Sequence, residues 1–138
     1  MILVDSNVLV ALISRTDDKH AAATEWVEGV TDVLLVPPTV IAEVCYLVGE
    51  RNGDRRAEAE FLRSFDDEDG LRMAELVPDD LRRVAELVER CADLGLGATD
   101  ASVVAIAERL GVERVATFDR RHFPVVVPSH ASRLTLLP

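Results

Sequence analysis

The sequence predicts an α/β domain built around a mainly parallel sheet. Short apolar runs recur at 2–4, 33–36 and 112–117. Helical patterns separate these runs, so strands alternate with helices. The first run, ILV, is apolar at every position rather than at alternate ones, as a strand covered on both faces requires. With 138 residues and 49% hydrophobic residues, the chain suits one domain spanning 1–138 with a sizeable core.

The chain opens MILVDSNVLVAL, in which an apolar run stops at Asp5 and resumes after Ser6 and Asn7. A strand at 2–4 followed directly by a helix at 7–14 accounts for this pattern. A second helix is expected at 20–30, with Gly29 near its end, and a strand at 33–36. Pro37 and Pro38 break that strand and suit a helix start, giving a helix at 39–51 with Gly53 beyond it. Further expectations are a helix at 54–64, an acidic loop at 66–70, a strand at 71–77 and a helix at 79–93. Gly95 and Gly97 mark a break before a helix at 98–110, which Gly111 closes. A strand at 112–117, a tight turn at 119–122 and a last strand at 125–127 complete the prediction.

Composition narrows the function. The net charge of −10 argues against nonspecific nucleic-acid binding, yet the basic residues are nearly all arginine, which suits bidentate phosphate contacts. Cys45 and Cys91 form no CxxC pair, and His20, His122 and His130 show no zinc-ligand spacing with them. The N-terminus lacks a basic segment before its apolar run, and no stretch of about 18 apolar residues occurs. A cytoplasmic location without membrane contact is the expectation.

Four carboxylates stand out. Asp5 ends the first strand, and Asp119 lies just beyond the strand at 112–117. Asp100 starts a helix in GATDASVVAIAERLG, and Glu43 lies among apolar neighbours in PPTVIAEVCYLV. Each has a plainer role. Asp5 or Asn7 caps a helix, Asp100 complements a helix dipole, Glu43 is solvated and Asp119 stabilises a turn. Ligands of parallel sheets gather at the carboxyl ends of strands, where these four would meet if the strands are neighbours. Clustered carboxylates repel, and a divalent cation relieves the repulsion. Oxygen donors without a Cys/His cluster suit Mg²⁺ or Mn²⁺, which activate water against a phosphodiester.

VDSNVL, AEV around Glu43, TDA around Asp100 and TFDRRHF around Asp119 resemble, in order and spacing, the acidic motifs of PIN-domain ribonucleases. The resemblance covers essentially the whole chain. The length and the DRRHF ending are most similar to VapC-type toxins of bacterial toxin–antitoxin pairs. It implies a PIN-like three-layer α/β/α sandwich and Mg²⁺- or Mn²⁺-dependent endoribonuclease activity. Asp5, Glu43, Asp100 and Asp119 would be the catalytic and metal-holding residues, supported by Asn7 and Thr117. It also implies a homodimer inhibited by a cognate antitoxin protein. Arg120 and Arg121, next to Asp119, are the expected RNA contacts, whereas Arg51, Arg55 and Arg56 read better as surface charges.

Other classes fit less well. A receiver-type phosphorylation module needs a lysine at the end of a late strand, and the only lysine is Lys19. A dehalogenase-like phosphatase wants an aspartate where Asn7 stands, and Gly95-Leu96-Gly97 lacks the strand and third glycine of a dinucleotide fingerprint. The remaining alternative is a degenerate PIN fold acting as a non-catalytic interaction module.

Overall fold

The computed structural model describes residues 1–67 and 70–138; the middle of the predicted 66–70 loop lies outside the described residues. Five parallel strands form one sheet in the order β3-β2-β1-β4-β5. They are β1 (Ile2–Val4), β2 (Leu34–Val36), β3 (Arg72–Met73), β4 (Arg114–Ala116) and β5 (Thr135–Leu137). The apolar β1 takes the centre, with Ile2 opposite Leu34 on one side and Val4 opposite Ala116 on the other. Its three residues are all buried.

The helices are α1 (Ser6–Ile13), α2 (His20–Glu28), α3 (Pro38–Cys45), α4 (Arg55–Arg63), α5 (Pro78–Arg90) and α6 (Ala98–Leu110). The chain steps from β1 to β2 to β3 in one direction across the sheet, then returns past β1 to β4. Right-handed crossovers therefore carry α1–α4 to one face and α5–α6 to the other, which gives three layers. The direction reverses between β1 and β4, so the crevice at their carboxyl ends is the topological switch point. No helix among the described residues is long and apolar enough to cross a membrane.

α6 is the most deeply buried helix, with Ala101 through Ala107 all inaccessible. Its small and β-branched side chains allow close packing on the sheet while α5 covers its other side. Two ion pairs join α5 to α6. Arg83 grips Glu108 with two bonds of 2.8 and 3.0 Å, and Arg109 reaches the buried Asp80 at 2.9 Å. Asp80 also accepts from the Val77 N–H, capping α5. Gly111 ends α6 at φ 64°, a left-handed conformation that glycine takes without strain.

Three expectations need correction. The strand expected at 125–127 is not one: Phe123–Val125 is a 3₁₀ turn, and the last strand is Thr135–Leu137, paired with β4. Pro124 and Pro128 lack the N–H donors a ladder needs, so the alternating burial of Val125, Val126 and Val127 reflects packing only. The strand at 71–77 shrinks to the exposed edge pair Arg72–Met73. The helix at 39–51 is α-helical only to Cys45 and continues as a π-helix over Tyr46–Arg51. There Gly49 lets the Glu58 carboxylate press against the backbone; a Cβ at this position would stand 2.0 Å from Glu58 Oε2. Arg55 completes this contact by bonding both Glu58 and Glu50.

Candidate metal centre

Asp5 leaves β1 at the switch point and caps α1, with Oδ1 accepting from the Ser6 N–H at 2.7 Å. Its other oxygen accepts from Asn7 Nδ2 at 2.7 Å and from the Thr117 hydroxyl at 2.8 Å. Asn7 Nδ2 also donates to Thr117 Oγ1, and Asn7 Oδ1 accepts from the Phe118 N–H at 2.9 Å. Thr117 Oγ1 in turn accepts from the Asp119 N–H at 2.9 Å. This network ties the end of β1 to the end of β4. Ser6, Thr117 and Asp5 are all buried. The plain capping role of Asp5 is thus real, and it coexists with a place in the cluster.

Asp119 sits in a turn that wraps its own carboxylate. Oδ1 accepts from the backbone N–H groups of Arg121 at 2.6 Å and His122 at 3.2 Å, and Oδ2 lies 2.6 Å from His122 Nδ1. Burial pushes the Asp119 carboxyl up, but these backbone and ring donors outweigh it and hold the group below the ordinary aspartate value.

Asp100 lies in the first turn of α6. Among the described residues, no hydrogen bond reaches its carboxylate; its nearest partner is His122 Nδ1 at 3.6 Å. Burial, then the charges of Asp5 and Asp119, push its carboxyl up to about 6 against only partial relief from His122. Burial likewise raises Asp5, opposed by the Thr117 and Ser6 hydrogen bonds and reinforced by the charges of Glu43 and Asp119.

Glu43 lies half-buried on α3. One turn earlier on the same helix side, Thr39 Oγ1 meets Ser102 Oγ of α6 at 2.5 Å. Ser102 spends its own proton on the Thr99 carbonyl, so Thr39 donates in that contact. This contact fixes α3 against α6 and brings Glu43 within electrostatic reach of both Asp5 and Asp100. Glu43 accepts no hydrogen bond and forms no ion pair among the described residues.

The structure therefore gathers Asp5, Asn7, Glu43, Asp100, Thr117 and Asp119 at one end of the sheet. The donor set fits a hard divalent cation: among the described residues, two of the clustered carboxylates have no hydrogen-bond donor, and no lysine or arginine side chain bonds any of the four. His122, which had no place in a zinc-type spacing, joins the cluster. Its position three residues after Asp119 inside a turn is the signal that could have found it. Arg120 and Arg121 are exposed beside the cluster. The Arg120 guanidinium donates to the Pro138 carbonyl, while the Arg121 side chain has no partner among the described residues. Arg55 and Arg56 pair with Glu58, Glu50 and Glu60, in keeping with a surface role.

Comparison with known proteins agrees with this architecture. The PIN domain family model matches residues 2–127. The chain is 32% identical over 136 residues to Ribonuclease VapC26 of Mycobacterium tuberculosis, covering 99% of each. Among solved structures, M. tuberculosis VapC20, described as a Sarcin-Ricin loop cleaving toxin, superposes with a TM-score of 0.80 at 21% identity, covering 87% of this chain and 91% of that one. VapBC2 from Rickettsia felis, bound to a promoter DNA fragment, gives 0.70 at 16% identity, covering 99% and 97%. A toxin–antitoxin complex from Klebsiella pneumoniae gives 0.66 at 17% identity, covering 91% and 92%. The chain belongs to the PIN-domain family and, within it, to the VapC-type proteins.

Proposed function

We propose that the protein is a Mg²⁺- or Mn²⁺-dependent endoribonuclease, the toxin of a toxin–antitoxin pair acting in the cytoplasm. The observation that carries this reading is the meeting of Asp5, Glu43, Asp100 and Asp119 at the switch point, in a chain 32% identical to a ribonuclease. These four residues would hold the ion. When bound, it supplies a water of lowered pKa and neutralises charge on the phosphoryl oxygens.

The chain's own groups do the positioning. Thr117 and Asn7 orient Asp5 through its Oδ2. Glu43 and Asp100, whose oxygens accept no hydrogen bond among the described residues, hold water against the scissile phosphodiester. Arg121, whose guanidinium has no partner among the described residues, contacts an RNA phosphate, and Arg120 gives weaker support from its place on the Pro138 carbonyl. The cation and these arginines overcome the repulsion between RNA and a chain of net charge −10.

A basic antitoxin that inserts an arginine or lysine among the carboxylates would inhibit the site. An apolar groove of about 540 Å³, lined by Leu9, Leu12, Ile13, Trp26 and Phe61, offers it an anchor. In the stretch 40–48, Val40, Val44 and Val48 are buried in the core, while Tyr46 is exposed and Ile41 and Leu47 are half-buried, so its outer face is the surface offered to a homodimer. The homodimer remains part of the proposal and is read by light scattering at tens of micromolar.

The test is RNA cleavage by pure protein with Mg²⁺, Mn²⁺ or EDTA. Cleavage should need the ion, and Asp5→Asn and Asp100→Asn should each lose it while remaining folded. Wild-type turnover in folded Asp5→Asn protein, or undiminished cleavage in EDTA, would overturn the reading.

A further inference from the structure

We propose that His122 is a nitrogen ligand of the ion held by the acidic cluster, and that this donor makes the site select Mn²⁺ over Mg²⁺. The inference rests on the metal-dependent reading above and adds a donor type that the four acidic residues do not supply.

Ligand atoms of Asp100, Asp119 and His122 all lie within 4.8 Å of one another, close enough for one ion to be shared among them. The ring is placed between the two carboxylates, with Nδ1 at 2.6 Å from Asp119 Oδ2 and 3.6 Å from Asp100 Oδ2; ligation replaces the proton shared between Nδ1 and Asp119, which leaves to solvent as the ion binds. Its location is fixed from both sides in sequence. Asp119 accepts the His122 backbone N–H, and Phe123, the next residue, is anchored in the core at 1% exposure. The side chain itself is only 23% exposed, so it belongs to the cluster rather than to the surface.

The other histidines serve the backbone. His20 Nδ1 lies 2.7 Å from the Ala11 carbonyl, and His130 Nε2 lies 3.0 Å from the Val112 carbonyl. His122 alone, among the described residues, directs a ring nitrogen at carboxylates only. Mg²⁺ demands oxygen donors and gives up its water reluctantly. Imidazole suits transition metals, and Mn²⁺, the first member of the Irving–Williams order, binds it more readily than Mg²⁺ does while keeping its preference for carboxylates. A carboxylate cluster alone would serve both ions, whereas a cluster joined by His122 discriminates between them.

The experiment uses the full chain, stripped of metal and titrated with Mn²⁺ under electron paramagnetic resonance, with Mg²⁺ as competitor. Pulsed spectra of the bound Mn²⁺ should show ¹⁴N coupling from a directly bound imidazole. His122→Asn, which keeps a donor for Asp119 but has no imidazole nitrogen, should abolish that coupling. It should also weaken Mn²⁺ binding by about tenfold or more while changing Mg²⁺ binding by less than about twofold. Bound Mn²⁺ without ¹⁴N coupling in the wild type would overturn the inference and leave His122 as a group that orients Asp119. Equal loss of both ions in His122→Asn would overturn the selectivity. No Mn²⁺ binding at all at millimolar concentration would overturn the metal-dependent reading as well.

Discussion

The Thr117 hydroxyl donates a 2.8 Å hydrogen bond to Asp5 Oδ2 across 112 positions of sequence. It joins the carboxyl ends of β1 and β4 in the crevice where the sheet reverses direction. Thr117 Oγ1 also accepts from the Asp119 N–H, so one buried hydroxyl holds two of the four acidic residues. Thr117→Val keeps the shape and removes these two bonds together with the one that Thr117 Oγ1 accepts from Asn7 Nδ2. It should cost about 1–3 kcal/mol, because Asp5 and the Asp119 N–H lose a buried partner. It should also push the Asp5 carboxyl further up, since the Thr117 bond is what lowers it most. Urea denaturation and nuclease assays on the same preparation measure the two effects; unchanged stability and activity together would show the bond to be incidental.

Asp100 gives the fold a pH dependence in EDTA. Its carboxyl is raised from 3.8 to about 6, so between those values the folded chain binds more protons than the unfolded one. The stabilisation it brings is full below about pH 4 and is lost as pH rises through about 6. The difference is on the order of 2–3 kcal/mol. Wild type compared with Asp100→Asn isolates it from Asp119, whose lowered carboxyl works in the opposite sense. Metal-free Asp100→Asn should therefore lie above wild type in stability near pH 7 and lose that advantage near pH 4. Parallel stability curves for the two proteins would refute the assignment.

Glu43→Gln should damage cleavage more than Asp119→Asn. Glu43 has no hydrogen-bond donor among the described residues and stands on a helix fixed by the Thr39–Ser102 contact. Asp119 is already engaged by Arg121 and His122, and an asparagine there still accepts their backbone N–H groups through its oxygen. Turnover under saturating Mg²⁺ ranks the two, and a larger loss in Asp119→Asn would reverse the proposed roles.

Arg121→Ala should weaken the binding of an uncleavable RNA severalfold and lower the salt dependence by about 0.7 in log–log slope, the share of one single-strand phosphate contact. Arg120→Ala should do less, because that guanidinium is tied to the Pro138 carbonyl. Fluorescence anisotropy at several salt concentrations measures both. Equal affinity and slope in Arg121→Ala would remove this residue from the RNA surface.

Asp80→Ala tests the support behind the site. Asp80 is buried and pairs with Arg109, which is partly exposed, so the loss is milder than for a fully enclosed pair. A destabilisation of about 3 kcal/mol is expected, with turnover per folded molecule preserved. Thermal melts paired with assays well below the melting point distinguish this outcome from a direct role in cleavage.

The sequence by itself determined the alternation of strands and helices, because apolar runs and proline or glycine stops act over a few residues. It also placed Asp5 and Asp119 at strand ends, Asp100 at a helix start and Glu43 on an apolar helix, all by local pattern. Asn7 and Thr117 entered only through the resemblance to the PIN-domain motifs, because nothing in local pattern marks a small polar residue as a partner of a distant carboxylate. Only the tertiary structure decided which strands are neighbours, and with that the Thr117–Asp5 bond. It moved the last strand to Thr135–Leu137, because pairing with β4 outweighs the stronger apolar pattern at 125–127. It gave the end of the Glu43 helix a π-helical turn, in which Gly49 packs against a glutamate from the following helix. It also brought His122 between two carboxylates, one of them 22 positions away in sequence, a partnership set by the packing of α6 against the turn after β4. Local pattern encodes what each segment is; long-range contact, fixed by burial and by the handedness of the crossovers, decides what each side chain meets.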